Sequence, residues 1–333
     1  MISRLLRHLK LISAIGWLLG ASTVASASPL LYTVSDLNEL MSIDVNGHTL
    51  GSAFTAITKG VTQDSGGGIV RRIRGLAYDD TNSVMYGMTR EGDLVKVNLS
   101  NGTTTHVYTL TTNPPGEFWS GLAFDGVSKL YTANTFGAHE FVEIQLAPTI
   151  TESVLGSTTL TGFPGVQLQM LGFDFYPTSA PATPPTSNGS HPTAGVLYGS
   201  NRSNDNIATV NTANGSVSFP FGNHTIGVPN LQEIAFHPVS GLLYSIHDHF
   251  SSSNNATLST YDFLTEMATE LGELPFGVVE QGPCCGNDTY GWGGLAFAPL
   301  AVPEPGSLLL SCVALASLIG TTWRRRQIFI ALL

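Results

Sequence analysis

Between residues 74 and 299 one short apolar segment occurs five times. The copies are Arg74-Gly75-Leu76-Ala77-Tyr78-Asp79, Ser120-Gly121-Leu122-Ala123-Phe124-Asp125, Leu171-Gly172-Phe173-Asp174-Phe175, Glu233-Ile234-Ala235-Phe236-His237 and Gly293-Gly294-Leu295-Ala296-Phe297. Self-similarity at a steady spacing restricts a chain to a repeat architecture. Each of the first four copies is followed by a turn and a Leu/Met-Tyr strand, seen as Met85-Tyr86, Leu130-Tyr131, Leu197-Tyr198 and Leu243-Tyr244. The fifth copy has no follower, whereas Leu30-Leu31-Tyr32-Thr33 has no leader. The two orphan halves complete one repeat. A third strand runs into an Asn-Gly turn at Asn46-Gly47, Asn101-Gly102 and Asn214-Gly215, the strongest short hairpin signal. A fourth strand follows, as in residues 104–110 and 216–221. Four antiparallel strands per repeat, closed into a ring by pairing of the two ends, predict an all-β fold: a β-propeller of five four-stranded blades. A β-sandwich also has short alternating strands, but it does not account for five copies with split ends.

The spacing, about 55 residues, is wider than the tightest propeller repeats. The excess lies in loops, above all the Pro/Ser/Thr-rich stretch 176–195, whose apolar content is too small to offset its ordering entropy. Leu76, Ala77, Leu122, Ala123, Leu295 and Ala296 read as packing between blades, and the repeated tyrosines as core.

Loops joining second to third strands, and each blade to the next, emerge on one face around the central channel, where ligands favour the concave mouth. That face is predicted to carry Arg74, Arg90, Trp119, Arg202, Glu233, His247, His249 and Trp292 as candidate ligand contacts. His247-Asp248-His249 is the sharpest cluster. Two imidazoles on an extended strand point to the same side, and with Glu233 they make a candidate divalent-metal site; ordinary solvated histidines satisfy the same pattern. Trp119 and Trp292 have rings suited to stacking on sugars, or equally to covering the core. The turn Asp79-Asp80-Thr81-Asn82 fits either a Ca²⁺ ion or backbone hydrogen bonds. Gly66-Gly67-Gly68 lacks the Lys-Ser/Thr of a phosphate cradle, and no Gly-x-Ser-x-Gly elbow is present.

Charge excludes one class of partner. Charged residues make up 11% of the chain against about 25% in an average domain. Of the 14 basic residues, Arg4, Arg7, Lys10, Arg324, Arg325 and Arg326 lie at the ends, while 23 of the 24 acidic residues lie in the middle and only Glu304 in the tail. The middle is therefore strongly acidic and repels phosphate backbones, which argues against nucleic acid.

Both ends read as targeting segments. Residues 1–27 combine a basic start, an apolar run at 11–19 and the small-residue site Ala25-Ser26-Ala27, the pattern of a secretory signal peptide. Val302-Pro303-Glu304-Pro305 precedes an apolar stretch, 306–323, and then Arg324-Arg325-Arg326. Eighteen helical residues span roughly 27 Å, close to the hydrocarbon thickness, with the arginines on the cytoplasmic side. This arrangement resembles the PEP-CTERM sorting signal of Gram-negative bacteria, with Pro303, Glu304 and Pro305 matching the motif. The resemblance implies recognition by an exosortase-type membrane enzyme, export, and a surface or matrix role tied to exopolysaccharide. The predicted organisation is a signal peptide at 1–27, a propeller at 28–301, the sorting signal with its transmembrane helix at 302–326 and a short apolar tail at 327–333. Cys284 and Cys285 are adjacent and can form a strained vicinal disulfide, remain free thiols or bind metal, the last without support from any Cys-x-x-Cys spacing.

Two functional classes stand at this point. One is a non-enzymatic surface or matrix protein that binds polysaccharide or another surface protein through the channel face. The other is an exported propeller hydrolase, lactonase or lyase with a metal held by Glu233, His247 and His249.

Overall fold

A computed structural model of the 333-residue chain describes residues 28–299 without 36, 113–117, 136, 163–165, 181–191, 221–225, 229–230, 249–255, 264, 276–292. All described strands fall in one compact unit, Pro29–Ala298. They form five four-stranded antiparallel sheets, the blades of a propeller. The first blade contains β1 (Leu30–Val34), β2 (Glu39–Ile43) and β3 (Ala56–Val61). The second runs β4 (Ile73–Asp79), β5 (Val84–Thr89), β6 (Asp93–Val97) and β7 (Thr104–Thr109). The third is β8 (Trp119–Phe124), β9 (Lys129–Asn134), β10 (Glu140–Gln145) and β11 (Thr151–Ser157). The fourth is β12 (Met170–Phe175), β13 (Leu197–Asn201), β14 (Asn206–Val210) and the two-residue β15 (Val217–Ser218). The fifth is β16 (Leu231–Phe236), β17 (Leu243–Asp248), β18 (Ala256–Asp262) and β19 (Met267–Glu273). The last strand, β20 (Gly293–Ala298), returns to the first blade as its inner strand, so that blade is ordered β20-β1-β2-β3. Leu30 pairs with Ala298, Tyr32 with Ala296 and Thr33 with Leu295. The orphan halves therefore meet as the sequence requires.

The repeated glycine has a steric cause. Inner strands of neighbouring blades pass so close that a Cβ on Gly75 would lie 2.5 Å from the Gly121 carbonyl carbon. One on Gly121 would lie 2.5 Å from the Leu171 oxygen, and one on Gly294 2.5 Å from the Leu76 nitrogen. Gly121 and Gly294 also take left-handed φ values of 64° and 66°, accessible at low cost only without a side chain. Each inner strand shifts register against its partner here. Hydroxyls of the second strands satisfy the polar groups that such bulges free. Thr33 Oγ1 donates to Gly294 O at 2.9 Å and Thr132 Oγ1 to Gly121 O at 2.8 Å. Ser200 Oγ accepts from Gly172 N–H at 2.7 Å and donates to the Gln232 carbonyl of the next blade.

A second ring of contacts lies at the rim. A Cβ on Gly60 of β3 would meet Asn101 O, one on Gly156 of β11 would meet Asn214 O, and one on Gly272 of β19 would meet Ser52 O. The turn joining the third and fourth strands of one blade thus rests on the outer strand of the blade before it. The cores between are apolar. Leu122, Leu130 and Val142 share one with Met88 and Leu94, and burying each leucine contributes about 1.5–3 kcal/mol. The stretch 176–195 begins in such a core: Tyr176 is buried and meets Phe236 edge-on at 5.1 Å, and Gly195 N–H bonds Tyr176 O. Among the described residues no helix is long and apolar enough to cross a membrane, and the runs 11–19 and 306–323 lie outside them.

Candidate functional site

In a blade of four antiparallel strands the second-to-third and blade-to-blade connections leave at the same end. One backbone hydrogen bond recurs there. Thr62 N–H donates to Asn38 O at 2.6 Å, Leu110 to Gly92 at 2.9 Å, Thr158 to His139 at 2.9 Å and Ile226 to Asp205 at 2.9 Å. Each acceptor is left-handed, with φ of 58°, 86°, 51° and 49° respectively. Polar residues at these loop ends are there in part for their backbone, since Asn and Asp tolerate this conformation better than most side chains. Asp205 adds a side-chain cap, its Oδ1 accepting from Leu231 N–H at 2.9 Å.

The centre of the face breaks the repeat. Where four inner strands have Gly75, Gly121, Gly172 and Gly294, β16 has Glu233, buried at 4% exposure. Burial pushes the Glu233 carboxyl well above the usual range, against the opposing pull of the Gly294 N–H and the Arg74 charge. Arg74 lies on β4 one residue before Gly75 and is half-buried. Burial and the nearby Arg90 and Arg72 lower its guanidinium to about 10, with Glu233 and Glu91 acting in the other direction. Arg90 stands over the Phe118 ring, 3.7 Å from its centroid. Its backbone N–H bonds Arg72 O at 2.8 Å and its carbonyl accepts from Trp119 N–H at 3.2 Å, so Arg72, Arg90 and Phe118 share one corner of the mouth. Arg71 is engaged structurally, 3.0 Å from Asp64 and 2.6 Å from Asp93.

Several expectations change. Trp119 is fully buried among Leu122, Leu130 and Met88, so its ring is not offered to a sugar. The face position belongs to Phe118, since a shift of one residue along a strand exchanges the two sides. His247 is also fully buried. Its Nε2 lies 2.7 Å from Ser259 Oγ on the adjacent β18, a contact within the sheet. Among the described residues no group of three or more His, Cys, Asp or Glu is placed to hold a metal ion. The Asp79 carboxylate is occupied by its own turn, accepting from Asn82 N–H at 3.0 Å and Asn82 Nδ2 at 2.7 Å. Arg202 stands on the face half-buried, its backbone N–H bonded to Gln169 O at 3.0 Å. His249, Trp292, Cys284, Cys285 and the whole of 303–326 lie outside the described residues.

A second break in the repeat went unread in the sequence. Asp174 stands where other inner strands have Ala77, Ala123, Ala235 and Ala296. Its carboxylate accepts from Phe175 N–H at 2.8 Å and from Phe236 N–H of the next blade at 2.6 Å. Burial nonetheless raises it to about 7. The signal was a charged residue inside an otherwise apolar copy.

The architecture defines a five-bladed propeller with a polar centre and an arginine-rich mouth. Its address comes from the tail. Residues 301–326 match the PEP-CTERM protein-sorting motif, so the chain carries the signal of an exported protein, handled at its C-terminal end by an exosortase-type enzyme in association with the membrane. No curated protein matches the chain. Among solved structures it is similar to a glutaminyl cyclase from Myxococcus xanthus, with 13% identity, TM-score 0.38, and 61% of this chain and 70% of that one covered. A putative oxidoreductase (glucose dehydrogenase) from Thermus thermophilus gives 16% identity and TM-score 0.38 over 69% and 77% of the two chains. A protein of unknown function from Bacteroides thetaiotaomicron gives 11% and 0.45 over 74% and 58%.

Proposed function

We propose that this chain is a non-enzymatic cell-surface or matrix protein whose propeller binds polysaccharide, or a surface protein associated with it, through the channel mouth. In this reading the segment 1–27 is removed on export, the domain spans 28–301, and the 302–326 signal holds the chain transiently in the membrane by an apolar helix until it is processed. The observation that carries the reading is the exchange of the repeat glycine for Glu233, with Arg74 beside it. A position set by backbone contact in four blades is given over to a carboxylate in the fifth, at the point where propellers place their ligands. Arg74, Arg90, Arg202 and Glu233 are the contacts proposed from the described residues, with His249 and Trp292 beside them by sequence.

The test is titration calorimetry of the exported protein against the polysaccharide fraction of the producing cell's matrix. Saturable heat with no change in the glycan is the expected outcome. Release of shortened or unsaturated products that stops on chelation would replace this reading by the metal-dependent hydrolase, lactonase or lyase.

A further inference from the structure

The Asn-Gly turns that follow the third strands share a sequence but not an environment. In two of them the glycine is locked. Gly102 N–H donates to Asn98 O and Gly215 N–H to Asn211 O, both at 2.8 Å. A Cβ on Gly102 would lie 2.5 Å from Gly60 O of the blade before it, and one on Gly215 2.8 Å from Phe141 Cβ. The asparagines are tied as well. Asn101 Oδ1 accepts from Thr103 N–H at 3.0 Å and from Thr103 Oγ1 at 2.8 Å, and Asn214 Oδ1 from Ser216 N–H at 3.0 Å. The turn Asn46-Gly47 is open by contrast. Both residues are exposed, nothing lies within 4 Å of where a Gly47 Cβ would stand, and no group among the described residues accepts from the Gly47 N–H. Asn46 Nδ2 donates to Asp44 Oδ1 at 2.9 Å, the oxygen that also accepts from Asn46 N–H at 2.9 Å. Asn188-Gly189, a fourth such pair, lies outside the described residues.

An asparagine before glycine carries its own nucleophile, because the glycine nitrogen can reach the side-chain carbonyl carbon with no Cβ in the way. Closing that ring needs rotation of the Asn-Gly backbone and a nitrogen whose proton is not already engaged. Gly47 meets both needs, and Gly102 and Gly215 meet neither. We propose that Asn46 is a site of spontaneous deamidation in the mature protein, whereas Asn101 and Asn214 are protected by the blades on which their turns rest. The Gly47 nitrogen loses its proton to solvent base and bonds to Asn46 Cγ. The Cγ–Nδ2 bond breaks, Nδ2 leaves as ammonia, and a succinimide remains. Water then opens the ring at either carbonyl, giving aspartate or isoaspartate, so the only co-reactant is water. The product sets a second carboxylate against Asp44 where Asn46 had donated a hydrogen bond. The stretch 44–54 rests on the fifth blade through Gly51 N–H to Leu271 O at 2.7 Å and Phe54 N–H to Glu273 O at 3.0 Å, so the new charge loosens the turn at the seam between the first and fifth blades.

The experiment incubates the exported protein in mildly alkaline buffer, folded and in urea, and follows the three turns by peptide mass mapping with chromatographic separation of the isoaspartyl form. In the folded protein Asn46 should convert about tenfold or more faster than Asn101 and Asn214, because their glycine N–H bonds and backbone clamps must open first. In urea the three rates should converge. Folded-state conversion at Asn101 or Asn214 as fast as at Asn46 would overturn the proposal, and so would an Asn46 that keeps its amide while the urea sample converts. Asn46→Asp makes one product directly. It should unfold at a lower temperature than the parent at low salt, with the gap narrowing as salt rises. No gap at low salt would overturn the effect on the turn.

Discussion

β16 and the other four inner strands occupy equivalent places in the ring, yet they meet their neighbours differently. At Gly75, Gly121, Gly172 and Gly294 the contact is backbone on backbone, with no room for a methyl group. At Glu233 the same station carries a buried carboxyl group that feels the charge of Arg74. The four glycines show what closing the ring requires. The fifth position shows what the ring tolerates when another use is made of it, because a buried carboxyl stays in place only by finding partners or by keeping its proton.

The largest effect should come from making the other strands resemble β16. Gly121→Ala places a Cβ 2.5 Å from Leu171 O at a φ of 64°, and should cost about 4 kcal/mol or prevent folding, as read by denaturant unfolding. The reverse change is next. Glu233→Gly restores the repeat but leaves Arg74 without its buried partner, for a loss of about 3 kcal/mol. Adding Arg74→Ser, the residue that Ser120 supplies at the same station, should recover most of that loss. A double variant no better than the single one would mean that Arg74 and Glu233 are not coupled.

The other break in the repeat gives a pH dependence. Asp174 holds its proton to about pH 7 in the folded state, whereas an unfolded Asp releases it near 4. Between those values the folded state binds more protons, so stability falls as pH rises from 4 to 7. Glu233 acts in the same sense. Asp174→Ala should flatten the profile by roughly 2 kcal/mol, discounted for partial exposure, in urea titrations across that range. The smallest effect belongs to the loop ends. His139→Gly puts into the third blade what the second already has as Gly92 and should change stability by less than about 1 kcal/mol, because the recurring bond to Thr158 N–H uses only the backbone carbonyl.

The repeat made the fold legible. Leu30-Leu31-Tyr32-Thr33 and Gly294-Leu295-Ala296-Phe297 are recognisable as two halves of one unit, and they pair as such. The site was less readable because it depends on side and on contact between distant segments. Trp119 and Phe118 differ by one residue, enough to exchange core for mouth, and the bulge between Ser120 and Ala123 interrupts the alternation from which that choice would be read. Glycines of the outer rim such as Gly156 are explained only by Asn214, which belongs to another blade. Glu233 and Asp174 were visible as departures from the repeat, but their meaning came from what the other four copies do at the same station.

The pairing of β1 with β20 also sets an order of events during synthesis. Thr33 and Gly294, whose hydrogen bond seals the first blade, are 261 residues apart, and so Leu30–Val34 is synthesised long before its inner partner and has one edge unfilled until then. Its partner ends at Ala298, and the sorting motif begins at residue 301. The closing strand is therefore complete just before the motif begins. A chain without β20 keeps an open strand edge, the feature most prone to pairing with other molecules. A truncated product that lost its tail by premature termination before Gly293 would lose its closing strand too, so that the protein reaching the processing enzyme is one whose last strand has already been delivered.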